Sequence, residues 1–509
     1  MTTARTWAVA LTGVDGHLVE VEADLSNQTP EFRIIGLPDK SLAEAVQRVH
    51  NACKNTGLEL PRRRLTVNLS PASLPKHGAG FDLGVAVASL AAGGAVDARS
   101  ISSVVHVGEL GLDGRIRPVP GVLPAVFAAS RAGFDTVIVP RGNEAEAKLV
   151  PGIEVRAAAS LAEVAVWHGA DVEVTEVVPA ASAPSPRRER PTADLVDVVG
   201  QEEVVEALVV AAAGGHHMLL SGPPGAGKTM LARRLPGIMP PLTEEEALEV
   251  ASVRSLSGEQ VSALDPVPPL EAPHHSTSVA ALVGGGSRVA RPGAIARAHR
   301  GVLFLDEAAE FSRVALDALR QPLESGAIEV HRAGFTARFP ARFQLLLAMN
   351  PCPCGNYGVR GAECICPPMA VRRYATRLSG PLRDRIDIDL QVTRVAASRA
   401  TGRSAGVTTT AAAGARVAAA RKRAAARWQS TPWRRNADVP GTWLRQGALR
   451  LPAGARAPLD RALERGALTL RGYDRVLRVA WTMADLADRE QPGVDEIGRA
   501  LHLRSGVPR

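Results

Sequence analysis

Residues 218–235 read MLLSGPPGAGKTMLARRL, and this stretch decides the fold of the central part of the chain. It contains the pattern G-x-x-x-x-G-K-[ST] between a segment typical of a strand and one typical of a helix. In such a loop backbone N–H groups face phosphates, the lysine reaches the β- and γ-phosphates, and the threonine hydroxyl ligates magnesium. The sequence therefore predicts a site for ATP and Mg²⁺. Its predicted nucleotide-binding residues are Gly222, Pro223, Pro224, Gly225, Ala226, Gly227, Lys228, Thr229 and Met230.

Two more apolar segments end in polar residues suited to the same site. VLFL, residues 302–305, is followed by Asp306 and Glu307, at the strand end where open α/β sheets bind ligands. We expect Asp306 to hold magnesium together with Thr229, and Glu307 to orient and deprotonate the attacking water, which favours hydrolysis over binding alone. FQLLLAM ends at Asn350, which is predicted to position that water or the γ-phosphate. An ordinary strand-to-turn asparagine remains the alternative.

The composition bounds the class of protein. A chain of 509 residues is expected to form two to four domains. Its 46% hydrophobic and 22% charged residues are typical of a soluble globular protein, and the net charge of +8 permits a polyanionic partner. No apolar run reaches the roughly 18 residues that a membrane span requires, and the opening apolar segment is short for a signal peptide. The prediction is a cytoplasmic protein with no membrane partner.

Composition changes along the chain predict its organisation. Residues 1–172 alternate strand-like and helix-like segments, and 173–192 form a Pro/Ser-rich, then charged, linker. Residues 193–393 alternate apolar strands with helices, as in a parallel sheet with crossover helices, and 394–509 have helical periodicity. The predicted fold class is α/β and multidomain.

The order of these motifs resembles the ComM/YifB family of magnesium-chelatase-like AAA+ ATPases over essentially the whole chain. The resemblance rests also on APHHSTSVAALVGGGSRVARPGAIARAHRGVLFLDEAAEF, residues 272–311, and on LSGPLRDRIDIDL, residues 378–390. It implies a P-loop ATPase core with a helical C-terminal lid. It also implies a ring, expected to be a hexamer, because an arginine finger from the neighbouring subunit completes each site.

Two arginines take roles by this resemblance. Arg385 matches the arginine finger, with Arg383 as the nearby alternative. Arg471 matches the sensor-2 arginine best, although Arg475 and Arg478 lie on the same helical stretch. The other possibility is that these arginines only solvate a helix face.

The family is similar to replicative helicases in having an insert, here about residues 272–293, and a β-hairpin, here about residues 326–343. AIEVHRAGFTARFPARF supports the hairpin independently, since its apolar residues alternate on both sides of a turn. Arg332 at the turn would point into the channel of a ring, and His331 and Arg338 are the other DNA contacts predicted there. The resemblance implies a DNA motor that drives branch migration in natural transformation. The alternative is an ATPase that remodels a protein partner, as magnesium chelatase subunits do.

A basic run between residues 416 and 435 is the second candidate DNA surface. It has no acidic residue, and Arg421, Lys422 and Arg423 lie near Trp428 and Trp433. Cations neutralise phosphates and indoles stack on exposed bases. A solvated helix face is the alternative.

The N-terminal segment resembles the proteolytic domain of Lon, which has the α+β fold of ribosomal protein S5 domain 2. The nucleophilic serine of that family corresponds to Gly80, and no lysine occurs where its partner is expected, near residues 123–125. Peptide hydrolysis needs a nucleophile and an activating base. We therefore expect a scaffold or binding module rather than a protease.

Four of the five cysteines lie in NPCPCGNYGVRGAECICPP, residues 350–368. Cys352, Cys354, Cys364 and Cys366 form two C-x-C pairs, and four thiolates can close a tetrahedral zinc site. Reversible disulfides and unmetallated thiols are the alternatives. The loop leaves from Asn350 and returns toward Arg385, so the prediction is a structural zinc clip that stiffens the ring interface.

Overall fold

The structure is a computed structural model that describes residues 3–36, 44–175, 177–178, 193–286, 290–332, 335–359, 361–395 and 408–505. Its strands fall into two main sheets, one of seven and one of five strands. Three two-stranded sheets complete the strand pairing of the described residues. The α/β multidomain fold class is confirmed.

The seven-stranded sheet belongs to the N-terminal part and has the order β3-β4-β2-β1-β5-β8-β9. The strands of this part are β1 Thr3–Thr12, β2 Asp15–Ser26, β3 Glu31–Ile35, β4 Arg64–Ser70, β5 Val104–His106, β6 Glu109–Leu110, β7 Ile116–Arg117, β8 Thr136–Pro140 and β9 Glu154–Ala158. Strands β1, β2 and β4 pair antiparallel, whereas β5, β8 and β9 pair in parallel. Its helices are Ala45–Asn55, Asp82–Ala92, Ala98–Ile101, Val122–Arg131, Glu144–Ala147 and Leu161–Trp167.

Alternation along β1 explains the layers of this part. Ala4, Ala8 and Ala10 face a core that includes the wholly buried helix Asp82–Ala92. The intervening residues, such as Val9, face a different core that includes the helix Val122–Arg131. Because successive side chains of a strand point to opposite faces, one sheet lies between two helical layers.

The five-stranded sheet forms the central part, in the order β11-β14-β17-β10-β18, and every pairing in it is parallel. The strands of this part are β10 Met218–Ser221, β11 Leu270–Glu271, β12 Gly284–Gly285, β13 Arg291–Pro292, β14 Val302–Leu305, β15 Ala327–Arg332, β16 Phe335–Pro340, β17 Gln344–Met349 and β18 Ile388–Gln391. Its helices are Glu202–Gly214, Lys228–Ile238, Glu244–Leu256, Val279–Val283, Ala294–Arg297, Arg313–Ala318, Arg320–Ser325, Pro368–Ala375 and Gly380–Arg383.

The C-terminal part is helical and shares a hydrophobic core with one face of the five-stranded sheet. Its helices are Thr410–Arg427, Gly441–Arg445, Ala453–Glu464, Leu470–Leu486 and Val494–Ser505. Val417 and Val476 lie in the same core as Leu231, which belongs to the helix that follows the P-loop. Because this core is close-packed, a shift of that helix would displace side chains of the C-terminal helices.

Within the described residues, the N-terminal and central parts are in contact near Gly121 and near Gly13. The Gly121 N–H donates to the Ser255 carbonyl at 3.1 Å, beside a shared core that contains Val122 and Leu248. At the other place Gly13, in the turn between β1 and β2, forms a bridge with Arg338 of the hairpin β15–β16. A Cβ atom at Gly13 would lie 1.9 Å from the Arg338 carbonyl oxygen, so this contact requires glycine.

Among the described residues, no helix combines the length and the apolar character that crossing a membrane requires.

Candidate nucleotide and catalytic site

Lys228 lies at the centre of the candidate site. It begins the helix Lys228–Ile238 directly after Gly227, which has φ +82°. Its Nζ donates to the Gly222 carbonyl at 2.6 Å, the Pro223 carbonyl at 3.0 Å and Asn350 Oδ1 at 3.1 Å. Burial lowers the pKa of Lys228, and the negative charges of Asp306 and Glu307 oppose that shift. The lysine is thus fixed where phosphates would replace backbone carbonyls as its partners.

The sheet register explains why Asn350 reaches Lys228. β17 is the parallel neighbour of β10, with Met349 paired to Ser221. The Gly222 N–H donates to the Met349 carbonyl at 3.1 Å, so β17 ends beside the start of the P-loop. The residue after that end is Asn350. Its contact with the lysine therefore follows from which strands are neighbours.

The two predicted magnesium ligands are in direct contact. Thr229 Oγ1 donates to Asp306 Oδ2 at 2.6 Å. The other carboxylate oxygen, Asp306 Oδ1, accepts the Glu307 N–H at 2.9 Å. A hydroxyl and a carboxylate are hard oxygen donors of the kind that Mg²⁺ prefers, and Mg²⁺ is usually held by one or two such groups with substrate phosphates. The donor set fits the ion that the sequence predicts.

Glu307 has an unusual backbone and a partner that the sequence did not predict. Its φ of 50° and ψ of 45° are left-handed, a conformation that costs about 1–2 kcal/mol for a residue with a Cβ. Its side chain is 54% exposed, and its Oε2 lies 3.3 Å from His275 Nδ1. The one feature of the sequence that could have pointed to this contact was the His-His pair of the insert. Since 32 residues separate the partners, spacing alone could not have joined them.

Arg385 is held within its own chain. Its Nη2 pairs with Glu324, its Nη1 donates to the Pro381 carbonyl at 2.6 Å, and its side chain is 14% exposed. Arg383, the alternative finger, pairs with Asp389 at 3.0 Å. Lys228, Asp306 and Asn350, by contrast, are brought together by contacts with one another or with the P-loop.

The three candidates for the sensor-2 arginine differ in exposure. Arg471 is 75% exposed and lies 3.5 Å from Asp384. Arg475 is largely buried, and its Nη1 donates to Asp387 Oδ1 at 2.5 Å. Burial alone would raise the pKa of Asp387, but Arg475 and His216 hold it well below its usual range. Burial lowers the pKa of Arg478. Arg471 is thus the candidate that is not tied into the interior.

The hairpin residues predicted to contact DNA are in part at the surface. β15 and β16 pair antiparallel with His331 opposite Thr336. His331 is 71% exposed and Arg338 is exposed, while the side chain of Arg332 and residues 333–334 lie outside the described residues. The hairpin therefore presents a histidine and an arginine to solvent.

Much of the basic C-terminal helix has internal partners. Arg421 Nε and Nη2 both donate to the Ala212 carbonyl, at 3.0 and 2.6 Å, and burial lowers the pKa of Arg421 to about 9. Arg423 Nη1 donates to the Asp485 carbonyl at 2.9 Å. Lys422, between them, is exposed. The stacking role predicted for Trp428 is wrong, because its ring is 1% exposed and its Nε1–H donates to Asn436 Oδ1 at 3.0 Å.

The four clustered cysteines place their sulfur atoms within 4.8 Å of one another. The separations are 3.4 Å for Cys352 and Cys354, and 3.7 Å from each of these to Cys364. The Tyr357 N–H donates to Cys352 Sγ at 3.3 Å. These separations exceed the roughly 2.05 Å of a disulfide bond. The four thiols therefore form a compact, unbonded cluster that a metal ion can join.

The positions equivalent to the Lon dyad carry no catalytic group. Gly80 precedes the helix Asp82–Ala92. Leu123, Pro124 and Ala125 are buried in the helix Val122–Arg131.

Three family models match the chain, one in each of its N-terminal, central and C-terminal parts. Family models described as magnesium chelatase subunit ChlI match residues 194–400, subunit ChlI of Mg-chelatase residues 21–143, and the subunit ChlI C-terminal region residues 407–504. An uncharacterized protein of Mycobacterium tuberculosis is 48% identical over 99% of each chain. The competence protein ComM of Haemophilus influenzae is 39% identical over 100% of this chain and 98% of its own. YifB of Escherichia coli is 40% identical over 94% of this chain and 92% of its own.

A narrower likeness concerns the N-terminal part. The Lon protease of Mycolicibacterium smegmatis is 30% identical over 151 residues, which are 28% of this chain and 19% of that protein.

Proposed function

Because the chain belongs to the ComM/YifB family of magnesium-chelatase-like AAA+ ATPases, we propose that it hydrolyses ATP in a hexameric ring and moves along DNA. The observation that carries the hydrolytic part is the convergence of Lys228, Asn350, Thr229 and Asp306 at one edge of the parallel sheet. Similarity to a protein named for competence supports natural transformation as the setting. Single-stranded or branched DNA as the track, and branch migration as the activity, are proposed on the family resemblance. A protein acting on ATP and DNA belongs in the cytoplasm.

The residues of the site divide the chemistry among them. Lys228 binds the β- and γ-phosphates in place of the Gly222 and Pro223 carbonyls. Thr229 and Asp306 would hold Mg²⁺, which would supply charge neutralisation on the phosphate oxygens. Glu307 takes the proton of the attacking water, and Asn350 orients that water or the γ-phosphate. The exposure of Glu307 leaves room for the water beside it.

The ring completes this site. Arg385 is proposed to reach the nucleotide of the neighbouring subunit, where its charge stabilises the transferred phosphoryl group. Its contact with Glu324, an exposed carboxylate, would orient the guanidinium before the neighbour binds. Arg471, exposed on the helix Leu470–Leu486, is proposed to sense the γ-phosphate. A site that needs both subunits explains why hydrolysis would depend on assembly.

The proposed DNA contacts lie on the hairpin and on the basic helix. His331, Arg332 and Arg338 would follow the backbone of the strand in the channel. On the helix Thr410–Arg427, exposure supports Lys422, whereas internal hydrogen bonds of Arg421 and Arg423 weaken the case for those two.

The second proposed function is the remodelling of a protein partner, which does not require Arg421 and Arg423 to be free for DNA. The chloroplastic magnesium-chelatase subunit ChlI of Glycine max is 26% identical over 45% of this chain and 61% of its own.

ATPase and unwinding assays separate the two functions. A DNA motor should show ATPase stimulated by single-stranded or branched DNA, and Arg332→Ala should abolish unwinding while leaving DNA-independent ATPase in place. Glu307→Gln serves as the control that binds ATP without hydrolysing it. ATPase that no DNA stimulates, with stimulation by a protein partner, would establish the remodelling function instead.

We also propose the domain boundaries 1–172, 173–192, 193–393 and 394–509. The three matched regions, centred on the first, third and fourth of these ranges, support the division. The linker falls largely outside the described residues. The first domain is proposed to be a scaffold, because Gly80 stands where Lon has its nucleophile.

Finally, we propose that Cys352, Cys354, Cys364 and Cys366 bind one structural Zn²⁺. The closeness of the four sulfur atoms supports this assignment. Structural zinc favours four protein ligands and no open position.

A further inference from the structure

The cysteine loop contacts the P-loop directly. Gly355, which lies between the two C-x-C pairs, packs against the ring of Pro224 in the P-loop. A Cβ atom at Gly355 would lie 2.4 Å from Pro224 Cδ and 2.8 Å from its Cγ, so the proline ring occupies space that any side chain at position 355 would need. Arg394 also contacts Pro224, because its Nε donates to the Pro224 carbonyl at 3.3 Å. The cysteine loop therefore forms one wall of the P-loop.

The same loop is tied to the catalytic lysine at its start. Asn350, two residues before Cys352, accepts a hydrogen bond from Lys228 at 3.1 Å. Cys352 itself is fully buried, and the Gly355 N–H donates to its carbonyl at 3.0 Å. Farther along, Asn356 Nδ2 donates to the Glu363 carbonyl at 3.2 Å, which holds the two halves of the loop together. The positions of the four sulfur atoms are therefore connected, through contacts of the loop, to both Lys228 and Pro224.

The sulfur positions fit a tetrahedral ion. Zn–S bonds of about 2.3 Å place the sulfur atoms of a tetrahedral site about 3.8 Å apart. The separations of 3.4, 3.7 and 3.7 Å among Cys352, Cys354 and Cys364 are close to that edge length. Cys366 completes the set within 4.8 Å. The loop is already shaped for zinc, and only small shifts of the sulfur atoms are needed to bind it.

We infer that zinc at the four cysteines sets the position of the P-loop through the contact of Gly355 with Pro224, and so controls nucleotide affinity. This inference rests on the zinc site proposed above and revises the role expected from the sequence, which was stiffening of the ring interface. Without the metal no coordinate bonds link the two C-x-C pairs, and hydrogen bonds such as that from Asn356 to the Glu363 carbonyl hold the loop, so the wall that supports Pro224 has more freedom to move. Ordering that wall before the nucleotide arrives lowers the entropy lost on binding.

Thermodynamic linkage makes the inference quantitative. If zinc tightens nucleotide binding by some factor, the nucleotide must tighten zinc binding by the same factor. We expect a factor of about five to ten, which is within the range typical of coupled sites. The reciprocal effect is measurable without any hydrolysis, as tighter zinc binding in equilibrium competition with a chelator when ADP is bound.

Two glycines of the loop provide a matched pair of variants. Gly355 and Gly358 have nearly the same left-handed φ, +80° and +70°, so alanine strains the backbone about equally at both positions. They differ in surroundings, because a Cβ atom at Gly358 would meet nothing within 4 Å. Gly355→Ala should weaken ADP binding while zinc stays bound, and Gly358→Ala should leave both unchanged. Equal effects of the two substitutions would refute the proposed route through Pro224.

The decisive experiment uses the full-length protein purified under reductant. Metal analysis should find about one zinc per chain, and Cys364→Ser should lose it, whereas Cys53→Ser, at the fifth cysteine, should keep it. The Kd of a fluorescent ADP analogue is then measured before and after a zinc-selective chelator that leaves Mg²⁺ in place. We expect the Kd to rise five- to tenfold and to recover when zinc is restored.

The possible failures are distinguishable. A protein that binds no zinc, or holds iron instead, refutes both the zinc site and the inference. Zinc that binds and leaves without changing the Kd refutes the inference alone. Zinc-loaded protein that does not bind ADP refutes the proposed ATPase function.

Discussion

The proposed catalysis depends on side chains that follow the ends of neighbouring parallel strands. Asp306 and Glu307 follow β14, and Asn350 follows β17, so one sheet edge collects the residues proposed as metal ligand, base and polar sensor. The left-handed backbone of Glu307 turns the chain sharply at the point where its carboxylate must face the nucleotide. Local strain of this kind is maintained only where the surrounding fold enforces it. Its partner His275 comes from the insert and links the proposed base to a segment outside the sheet.

His275→Ala should raise basal ATPase. While the imidazole contacts Glu307 Oε2, one carboxylate oxygen is less available to accept a proton from water. Exposed pairs of this type contribute about 0.2–1 kcal/mol, so the rate should rise by about 1.4- to fivefold. Steady-state ATPase at saturating ATP measures it. His274→Ala is the control, because that ring hydrogen-bonds Ser276 instead. A fall in rate would mean that His275 orients the base rather than restraining it.

At the scale of elements, the same helix can serve packing and surface chemistry at once. The helix Thr410–Arg427 packs on Glu202–Gly214 through Ala413, Val417 and Ala420. Arg421 follows this packed face and turns back to the Ala212 carbonyl, while Lys422, one position on, faces solvent. A run of basic residues on a helix is therefore not one surface, since consecutive residues point about 100° apart.

Lys422→Ala and Arg421→Ala should affect different properties of the protein, the first DNA binding and the second stability. If the helix binds DNA, Lys422→Ala should weaken binding and reduce the salt slope by about one, with little change in stability. Arg421→Ala should instead lower the free energy of unfolding by about 1.5–3 kcal/mol, because hydrogen bonds from a charged donor to Ala212 are lost. Denaturant unfolding and DNA titrations at several salt concentrations measure both. A full salt slope in Lys422→Ala protein would exclude this helix as a DNA surface.

The sequence predicted the residues at strand ends because strand period and motif order determine them. Asp306 and Asn350 each follow an apolar run, and Lys228 follows the P-loop after β10, so parallel neighbours bring these residues to one edge of the sheet. Contacts formed when a segment folds back, such as His275 with Glu307 or Gly355 with Pro224, left no periodic signal. The inward turn of Arg421 was missed for a related reason, since an Ala-rich helix does not show which of its faces will be covered.

At the scale of the whole molecule, a buried polar cluster of the N-terminal part lies beside its junction with the central part. Asn143 Oδ1 accepts the Val119 N–H at 3.0 Å, and its Nδ2 donates to Glu146 Oε1 at 2.6 Å. This cluster lies next to Gly121, whose N–H donates to the carbonyl of Ser255 in the central part. Glu146 is buried, and that burial raises its pKa to about 7 against the hydrogen bond from Asn143.

In the wild type the free energy of unfolding should fall as the pH rises from about 4.5 to 7. The Glu146→Gln variant should lack this fall. The raised pKa means that the folded protein favours the protonated carboxyl, so this contribution is complete below the unfolded pKa of 4.5 and is lost as the pH rises through about 7. The loss in the wild type amounts to at most about 3 kcal/mol. Denaturant unfolding from pH 4.5 to 8 measures it. Equal pH dependence in the variant and the wild type would refute the assignment to Glu146.

Mixing two inactive variants should restore ATPase if the ring is correct. Lys228→Ala subunits lack a nucleotide site but retain Arg385, whereas Arg385→Ala subunits have the reverse defect. In an equal mixture about a quarter of the interfaces place a competent site beside a competent finger, so activity should approach about a quarter of the wild-type rate. ATPase measured after co-assembly tests this. No recovery in confirmed mixed rings would show that Arg385 acts within its own subunit.

The glycine contact between the β1–β2 turn and Arg338 has a mechanical consequence. The backbones of Gly13 and Arg338 are in direct contact, because a Cβ atom at Gly13 would already overlap the Arg338 carbonyl. The turn and the hairpin therefore have little room to move relative to each other. A hairpin displaced by each round of hydrolysis must either carry the first domain along or break this joint once per cycle. If the chain is the proposed motor, a pair of distance labels across this joint would change separation, or the N-terminal part would move, once in each hydrolysis cycle.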